Sequence, residues 1–209
     1  MAGGMGRQQT IPVFDIGNVL IRWDPRSLYR KLIPDHRERE DFLTHICPGE
    51  WNLEMDGGKP FAQGIAERIA LFPHKADLIR AFDERWLETV DGAIEGSVAI
   101  LEELQARGIP TYAITNFSRE KFAEASRHYP LLGSFDGIVI SAHERLLKPD
   151  RRIYELFCAR HGLAPQDCLF IDDSPSNVAG ARAVGMRGHQ FTAPELLRAE
   201  LKAAGLPLA

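Results

Sequence analysis

The sequence has few cysteines, no long apolar run and no excess of positive charge. Its three cysteines, Cys47, Cys158 and Cys168, are odd in number and lack metal-binding spacing, which argues against a disulfide framework or a zinc site. The formal net charge of −4 offers no basic surface to nucleic acid or to an anionic membrane. No apolar run reaches the length of a membrane span. These features predict a reduced, cytoplasmic protein without nucleic-acid or membrane partners.

The chain length allows more than one structural unit. With 209 residues, the chain can form one full domain with an insertion, or two small domains. The segment Met1–Gly6 is rich in glycine and lacks the charged and apolar regions of a signal peptide. We expect it to be a disordered leader.

Strand-like and helix-like segments alternate through the second half of the chain. An apolar run at 11–14 predicts a first buried strand, and similar patterns predict four more. These later strands are predicted at 109–114, 137–141, 168–171 and 186–191, with helices between them. Such alternation is typical of an α/β fold, a Rossmann-like parallel sheet with helices on both faces.

The segment from 22 to 91 has a different character. Its apolar spacing predicts four helices, at 26–33, 38–46, 61–71 and 76–86, and it contains no convincing strand. Residues 51–60 hold Asp56-Gly57-Gly58, which predicts a turn. We therefore expect a core of residues 1–21 and 92–209, with residues 22–91 inserted as a helical cap.

Polar residues follow the predicted strands at comparable places. In a parallel sheet such positions can converge on one crevice at the carboxyl ends of the strands. The residues are Asp15, Thr115, Asn116, Lys148, Asp172 and Asp173.

Three converging carboxylates would repel one another unless a cation lies among them. Oxygen ligands suit Mg²⁺, while a lysine and a hydroxyl supply donors for phosphate. An aspartate left free to attack would be a nucleophile. Plainer interpretations exist, because Asp15 can be a turn residue and the pair Asp172-Asp173 can cap a helix.

The order and spacing of these residues resemble the haloacid dehalogenase-like (HAD) hydrolase superfamily. Four segments carry the resemblance: Phe14-Asp15-Ile16-Gly17-Asn18-Val19-Leu20, Ile114-Thr115-Asn116, Lys148-Pro149-Asp150, and Phe170 to Asn177 with its pair Asp172-Asp173. The helical insertion lies where this superfamily places a C1-type cap. The resemblance implies an α/β core with such a cap inserted after the first strand.

The resemblance also implies roles. Asp15 would be the nucleophile and would form an aspartyl-phosphate. The residues implied for Mg²⁺ are Asp15, the backbone carbonyl of Gly17, Asp172 and Asp173, and those implied for the transferring phosphate are Thr115, Asn116 and Lys148.

One position departs from the pattern of phosphatases in this superfamily. They usually carry an acid–base aspartate two residues after the nucleophile, where this chain has Gly17. The Asp-x-Gly-Asn-Val form is similar to a subgroup that includes α-D-glucose-1-phosphate phosphatases, whose anomeric leaving group needs less protonation. Hydrolysis of the intermediate still requires a base. The sequence leaves four candidates open: His45, Glu54, Asp56 and His74.

The leading hypothesis is a Mg²⁺-dependent phosphomonoester hydrolase for a small phosphorylated metabolite, with a sugar phosphate as the first substrate class. An L-2-haloacid dehalogenase is the alternative, although that family needs no metal and lacks the acidic pair of the fourth motif. A catalytically weak HAD-fold binding protein is the third, because of Gly17. Trp23, Trp51 and Glu54 are candidates for substrate specificity, and we expect a monomer or homodimer.

Overall fold

The computed structural model describes residues 10–209, so the leader predicted at Met1–Gly6 lies outside the described residues. In chain order the strands are β1 Ile11–Phe14, β2 Ile21–Trp23, β3 Val90–Ala93, β4 Tyr112–Thr115, β5 Gly137–Ile140, β6 Cys168–Asp172 and β7 Arg187–Gln190. Five of them form one parallel sheet in the order β5-β4-β1-β6-β7. The strand that carries Asp15 at its end is therefore central.

Helices connect the strands. They are α1 Pro25–Leu32, α2 His36–Asp41, α3 Gly49–Asp56, α4 Phe61–Leu71, α5 Ala76–Glu84, α6 Glu95–Ala106, α7 Arg119–His128, α8 Ser141–Glu144, α9 Arg151–His161, α10 Pro175–Ala183 and α11 Pro194–Ala203. The first five lie between β2 and β3, where the sequence predicts four. A π-helical turn at Phe42–Ile46 follows α2, and together they cover the second helix predicted from the sequence.

Both faces of the sheet are covered by helices. Successive side chains of β1 point to opposite faces, so Val13 packs with Tyr154 of α9 while Phe14 belongs to the apolar cluster that includes Leu101 of α6. Leu197 of α11 belongs to the same cluster as Phe14. A central strand buried on both faces is apolar throughout, which is why the run at 11–14 was recognisable. The prediction of a Rossmann-like α/β core is confirmed.

The structure corrects the expectation that the insertion contains no strand. β2 and β3 pair in antiparallel fashion, with Ile21 opposite Ala93 and Trp23 opposite Val90. These strands have three and four residues, and β3 reads Val-Asp-Gly-Ala, too short and too polar to show a period. The insertion thus begins and ends at adjacent strands, and the division at 22 and 91, which falls inside these strands, stays a prediction.

A second correction concerns residues 51–56, for which no helix was predicted. Gly49–Asp56 is helix α3, and the turn predicted at Asp56-Gly57-Gly58 follows at its end. Gly57 donates its N–H to the carbonyl of Leu53, and Gly58 has a φ of +104°, which favours glycine. The helix was missed because two turns with few apolar residues give a weak periodic signal.

Two expectations from composition concern thiols and membranes. Cys47, Cys158 and Cys168 are buried and free, as expected for a protein without a disulfide framework. Among the helices of residues 10–209, none has the length and apolar character needed to span a bilayer.

Candidate active site

The candidate site lies at the carboxyl ends of three adjacent strands. Asp15 follows β1, Thr115 ends β4 and Asp172 ends β6. Because β1 lies between β4 and β6 in the sheet, the three side chains meet at one edge. Convergence of these strand ends was predicted from the sequence, and the sheet order produces it.

The loop after β1 fixes the position of Asp15. The Asp15 N–H donates to the carbonyl of Ile171 on β6 at 2.8 Å, which continues the strand pairing to this residue. One Asp15 carboxylate oxygen accepts the N–H of Ile16 at 2.7 Å. Asn18 adopts a left-handed φ of 56°, and its Oδ1 accepts the N–H of Trp23 at 3.0 Å. Asparagine tolerates this conformation, so the tight loop after Asp15 is built from suitable residues.

Three carboxylates form a compact cluster. Each of Asp15, Asp172 and Asp173 offers an oxygen, and these oxygens lie within 4.8 Å of one another. Asp172 is completely buried, and its oxygens accept hydrogen bonds from the Ser174 N–H at 2.8 Å and the Asn177 amide at 3.1 Å. Asp173 is half-buried and lines the cavity described below. Asp172 is therefore buried and held by hydrogen bonds, whereas Asp173 is accessible from the cavity.

Lys148 joins the cluster as its counter-charge. Its Nζ lies 2.8 Å from an Asp15 oxygen and 2.7 Å from an Asp172 oxygen. Burial alone would lower the pKa of this ammonium, but the two carboxylates outweigh burial and raise it. The Asn116 side chain holds the Lys148 backbone from both sides, donating to its carbonyl at 3.1 Å and accepting its N–H at 2.8 Å. Asn116 thus positions Lys148.

The cluster has more negative than positive charge. Burial raises the pKa of Asp15 to about 7, with Lys148 opposing the rise and Asp172 adding to it. Burial and the nearby Asp172 also raise the pKa of Asp173. Three carboxylates facing one lysine favour a cation, and a divalent ion would relieve their repulsion. Oxygen-only ligands suit a hard ion such as Mg²⁺.

The Thr115 hydroxyl lies next to the cluster. Within residues 10–209, Thr115 Oγ1 is buried and makes no hydrogen bond. An unsatisfied buried hydroxyl is costly unless a ligand supplies the missing partner. Its place at the end of β4, beside β1, suits a donor to a phosphate oxygen. The chemistry of the donor set therefore fits a phosphate together with Mg²⁺.

A cavity of about 420 Å³ opens over the cluster. Asp15, Gly17 and Asp173 line it, together with residues of helix α3 from the insertion. Its apolar lining consists of Ile21, Trp23, Leu53, Trp86 and Phe117. The cavity can therefore hold the reacting group at the carboxylates and an apolar group against the walls.

The structure brings one of the three specificity candidates to this cavity. Trp23 lines it, whereas Trp51 is buried in the insertion, with its ring 5.2 Å from that of Phe82. Glu54 is half exposed and pairs with Lys59 at 2.5 Å on the surface. In the described part of the chain, neither Trp51 nor Glu54 lines the cavity. The sequence alone does not determine which way each of these side chains points.

Among the four base candidates, Asp56 alone lines the cavity within residues 10–209. His45 is exposed beside Asp41, and His74 is exposed as well. The Asp56 carboxylate is buried and accepts hydrogen bonds from the Asn52 amide at 2.8 Å and from the Ser118 N–H.

Other cavity residues were missed by the sequence analysis. Trp86 lines the cavity, and its ring lies 5.5 Å from the ring of Phe117. Lys121 of α7 also reaches the cavity, although its Nζ pairs with Asp83 and Glu124. Trp86 follows α5 and its direction depends on tertiary packing, so no local pattern identifies it.

Known proteins resemble this chain in sequence or in fold. The chain is 27% identical over 191 residues to sesquiterpene phosphatase astK of Aspergillus oryzae, covering 86% of this chain and 88% of that protein. It is 28% identical over 122 residues to (S)-2-haloacid dehalogenase 1 of a Pseudomonas species, covering 58% of this chain and 50% of that protein. A HAD family enzyme of Bacteroides thetaiotaomicron, solved with magnesium and inorganic phosphate, superposes with a TM-score of 0.70 at 21% identity, covering 88% of this chain and 95% of that one.

The sequence model of the haloacid dehalogenase-like hydrolases matches residues 13–185. This match begins at β1, ends after α10 and spans every residue of the carboxylate cluster, Lys148 and Thr115. The chain therefore belongs to the haloacid dehalogenase-like hydrolase family.

Proposed function

We propose that this protein is a Mg²⁺-dependent phosphomonoester hydrolase that acts through an aspartyl-phosphate on Asp15. The observation that carries the proposal is the cluster of Asp15, Asp172 and Asp173 with Lys148 between two of them. The buried Thr115 hydroxyl beside this cluster, which has no hydrogen-bond partner among residues 10–209, supports a phosphate as the reacting group.

Each residue has a defined task in this proposal. The Asp15 carboxylate attacks phosphorus, while Lys148 and Thr115 bind the phosphate oxygens. Asp15, Asp173 and the Gly17 carbonyl would hold Mg²⁺, with Asp172 beside them. The bound ion supplies charge neutralisation for the phosphate oxygens and the nucleophile. Asn116 contributes its backbone N–H as a predicted donor and holds Lys148 with its side chain.

Two substrate classes deserve testing. A sugar phosphate is the class predicted from the sequence. The apolar walls that include Trp23 and Trp86 favour a second class, phosphate esters of apolar alcohols. The similarity to a protein named as a sesquiterpene phosphatase supports that second class.

Dehalogenase chemistry is the competing function, since one relative is named as a haloacid dehalogenase. It uses a carboxylate nucleophile on carbon and provides no reason for three clustered carboxylates. The Asp15, Asp172 and Asp173 oxygens are arranged as a cation site, which favours phosphoryl transfer.

The first experiment measures phosphate release from glucose 1-phosphate, other sugar phosphates and a prenyl phosphate, with Mg²⁺ and with excess chelator. We expect turnover that needs Mg²⁺ and that Asp15→Asn abolishes. Chloride release from a 2-chloroacid without metal would favour the dehalogenase. No product from any substrate, in a folded protein, would favour a binding role.

Several expectations about the whole protein stay predictions. The proposal concerns a small phosphorylated molecule, and it requires no nucleic-acid or membrane partner. Size-exclusion chromatography with light scattering will distinguish the predicted monomer from the predicted homodimer. The cytoplasmic location can be tested by fractionation of the cells that express the protein.

A further inference from the structure

Gly17 leaves this site without the acid–base side chain that two steps of the proposed reaction require. The first step releases an alkoxide that needs a proton, and the second needs a base to activate water. We propose that Asp56, contributed by the end of helix α3, is the acid–base residue of this site. This inference rests on the proposed phosphatase function and adds a residue to it.

Asp56 faces the same cavity as the nucleophile. Both Asp15 and Asp56 line it, and the Asp56 side chain is buried in the protein rather than directed to open solvent. Its carboxylate accepts the N–H of Ser118, which follows β4 by three residues. Asp56 is therefore held against the loop after β4, next to the strand that carries Asp15.

The side chain is held in one orientation. The Asn52 amide, one helical turn earlier on α3, donates to Asp56 Oδ2 at 2.8 Å. The Asn52 side chain also lines the cavity. The two donors fix the carboxylate at the cavity wall, as an acid–base group requires.

Asp56 joins the insertion to the core through its backbone carbonyl as well as through the bond from the Ser118 N–H to its carboxylate. Ser141 Oγ donates to the Asp56 carbonyl at 2.5 Å and accepts the N–H of Phe117 at 2.9 Å. These backbone bonds tie the end of α3 to the loop after β4 independently of the carboxylate. The Ser118 and Asn52 bonds orient the carboxyl group, but a structural role alone does not require it to line the same cavity as Asp15.

The charge environment suits proton exchange near neutral pH. Burial raises the pKa of Asp56 to about 7, although the Ser118 N–H, the nearby Lys148 and the Asn52 amide all act to lower it. The other ionisable groups that line the cavity are Asp15, Glu50, Lys121 and Asp173. A carboxyl group with this pKa can donate a proton in one step and accept one in the next.

The proton balance closes over the cycle. In the first step the Asp15 oxygen bonds to phosphorus, the phosphorus–oxygen bond to the alcohol breaks, and the alcohol oxygen takes the proton of Asp56. In the second step water attacks phosphorus, its proton passes to the Asp56 carboxylate, and the bond from Asp15 to phosphorus breaks. The products are the alcohol and inorganic phosphate, and Asp56 is protonated again.

The test compares wild type, Asp56→Asn and the control Glu67→Gln. Glu67 is an exposed carboxylate of the insertion, paired with Lys59. With glycerol phosphate, whose alkoxide needs a proton, we expect Asp56→Asn to lower kcat roughly 10²–10⁴-fold. With p-nitrophenyl phosphate, whose phenolate leaves without a proton, we expect a burst of one nitrophenol per enzyme followed by slow turnover.

Gly17 supplies a rescue variant. A Cβ added at Gly17 meets no atom within 4 Å, and Gly17 does not have a left-handed φ. Gly17→Asp can therefore place a carboxylate two residues after the nucleophile without strain. We expect Gly17→Asp to restore turnover at least tenfold when it is added to Asp56→Asn.

A second variant keeps Asp56 and changes only its protonation. The Asn52 amide stabilises the charged form, so Asn52→Ala raises the pKa of Asp56 further. The kcat/KM for glycerol phosphate falls at high pH where Asp56 loses its proton, and we expect this fall to move to higher pH in Asn52→Ala. This result remains available if Asp56→Asn does not fold.

The outcomes separate the two proposals. A wild type that releases no phosphate from any ester overturns the proposed function, and the role of Asp56 falls with it. The role of Asp56 alone is overturned if the wild type is active but Asp56→Asn lowers turnover of both esters equally. In that case Asp56→Asn also shows no burst and is not rescued by Gly17→Asp. The role of Asp56 is also overturned if the pH dependence of kcat/KM is the same in Asn52→Ala as in wild type.

Discussion

The Thr115 hydroxyl lowers the stability of the free protein and can bind a phosphate oxygen. Its oxygen is buried at the end of β4, and no residue in the described part of the chain gives it a partner. Such a group destabilises the free protein and becomes satisfied when a phosphate oxygen arrives. Stability and binding should therefore change in opposite directions when this hydroxyl is removed.

Thr115→Val removes the hydroxyl and keeps the branched shape. We expect the free energy of unfolding without ligand to rise by about 1 kcal/mol, because a buried unpaired polar group disappears. We also expect the KM for the phosphate ester to increase. Urea denaturation and steady-state kinetics measure the two effects. A loss of stability would show that the hydroxyl already has a partner in the free protein.

Asp56 predicts a dependence of stability on pH. Its pKa of about 7 in the folded state lies above its ordinary value of 3.8. Between these two pH values the folded protein keeps a proton on Asp56 that the unfolded chain has lost. The contribution of Asp56 to stability is therefore complete below pH 3.8 and is lost as the pH rises through 7. Between these two pH values the free energy of unfolding falls by roughly 1.4 kcal/mol for each pH unit of increase.

Asp56→Asn cannot titrate, so we expect its stability relative to wild type to increase from pH 5 to pH 8 in urea denaturation. Glu67→Gln is the control, because the Lys59 hydrogen bond lowers the pKa of Glu67 and gives the opposite sign. Parallel stability curves for wild type and Asp56→Asn would contradict a raised pKa.

At the scale of elements, the cavity depends on how α3 attaches to the core. Ser141, the first residue of α8, bonds to the Asp56 carbonyl at the end of α3 and to the Phe117 N–H after β4. All three groups are buried. One hydroxyl thus connects the insertion with two core loops next to the candidate site.

Ser141→Ala leaves a buried carbonyl and a buried N–H without their partner. We expect a loss of about 1–3 kcal/mol in the free energy of unfolding and a larger fall in kcat/KM than stability alone explains. Asp24→Ala is a suitable control, since Asp24 caps α1 with a bond to Arg26 away from this contact and its loss costs about 1 kcal/mol. Equal kinetic effects of the two variants would argue against a special role for this attachment.

At the scale of the molecule, the carboxylate cluster couples metal binding to folding. Its ligands come from β1 and β6, which lie next to each other only in the folded sheet. A cation that binds the folded state and not the unfolded chain raises stability with concentration. Mg²⁺ alone should therefore stabilise the protein without any substrate.

We expect the melting temperature to rise as Mg²⁺ is titrated, equivalent to about 2.7 kcal/mol at a concentration of 100 times Kd. Asp173→Asn should weaken this response at least tenfold in apparent Kd, because Asp173 is the accessible member of the pair. Differential scanning fluorimetry measures both, with Glu67→Gln as the unaffected control. An equal Mg²⁺ response in Asp173→Asn would exclude Asp173 as a ligand.

The sequence by itself determined the α/β core and the strand ends that carry the site. Strands such as Ile11–Phe14 and Cys168–Asp172 are buried on both faces, and the resulting apolar runs can be recognised locally. Asp15 and Asp172 follow directly from those runs. The helix Phe61–Leu71 was likewise visible because its apolar face repeats over three turns.

Only the tertiary structure decided which residues of the insertion face the nucleophile. Asp56, Trp86 and Trp51 are all buried in the insertion, yet the first two line the cavity and the third packs inside the insertion. The difference depends on how α3 and the chain after α5 pack on the loop after β4. Local sequence encodes the period of a helix, whereas the direction of one side chain depends on contacts between residues far apart in the chain.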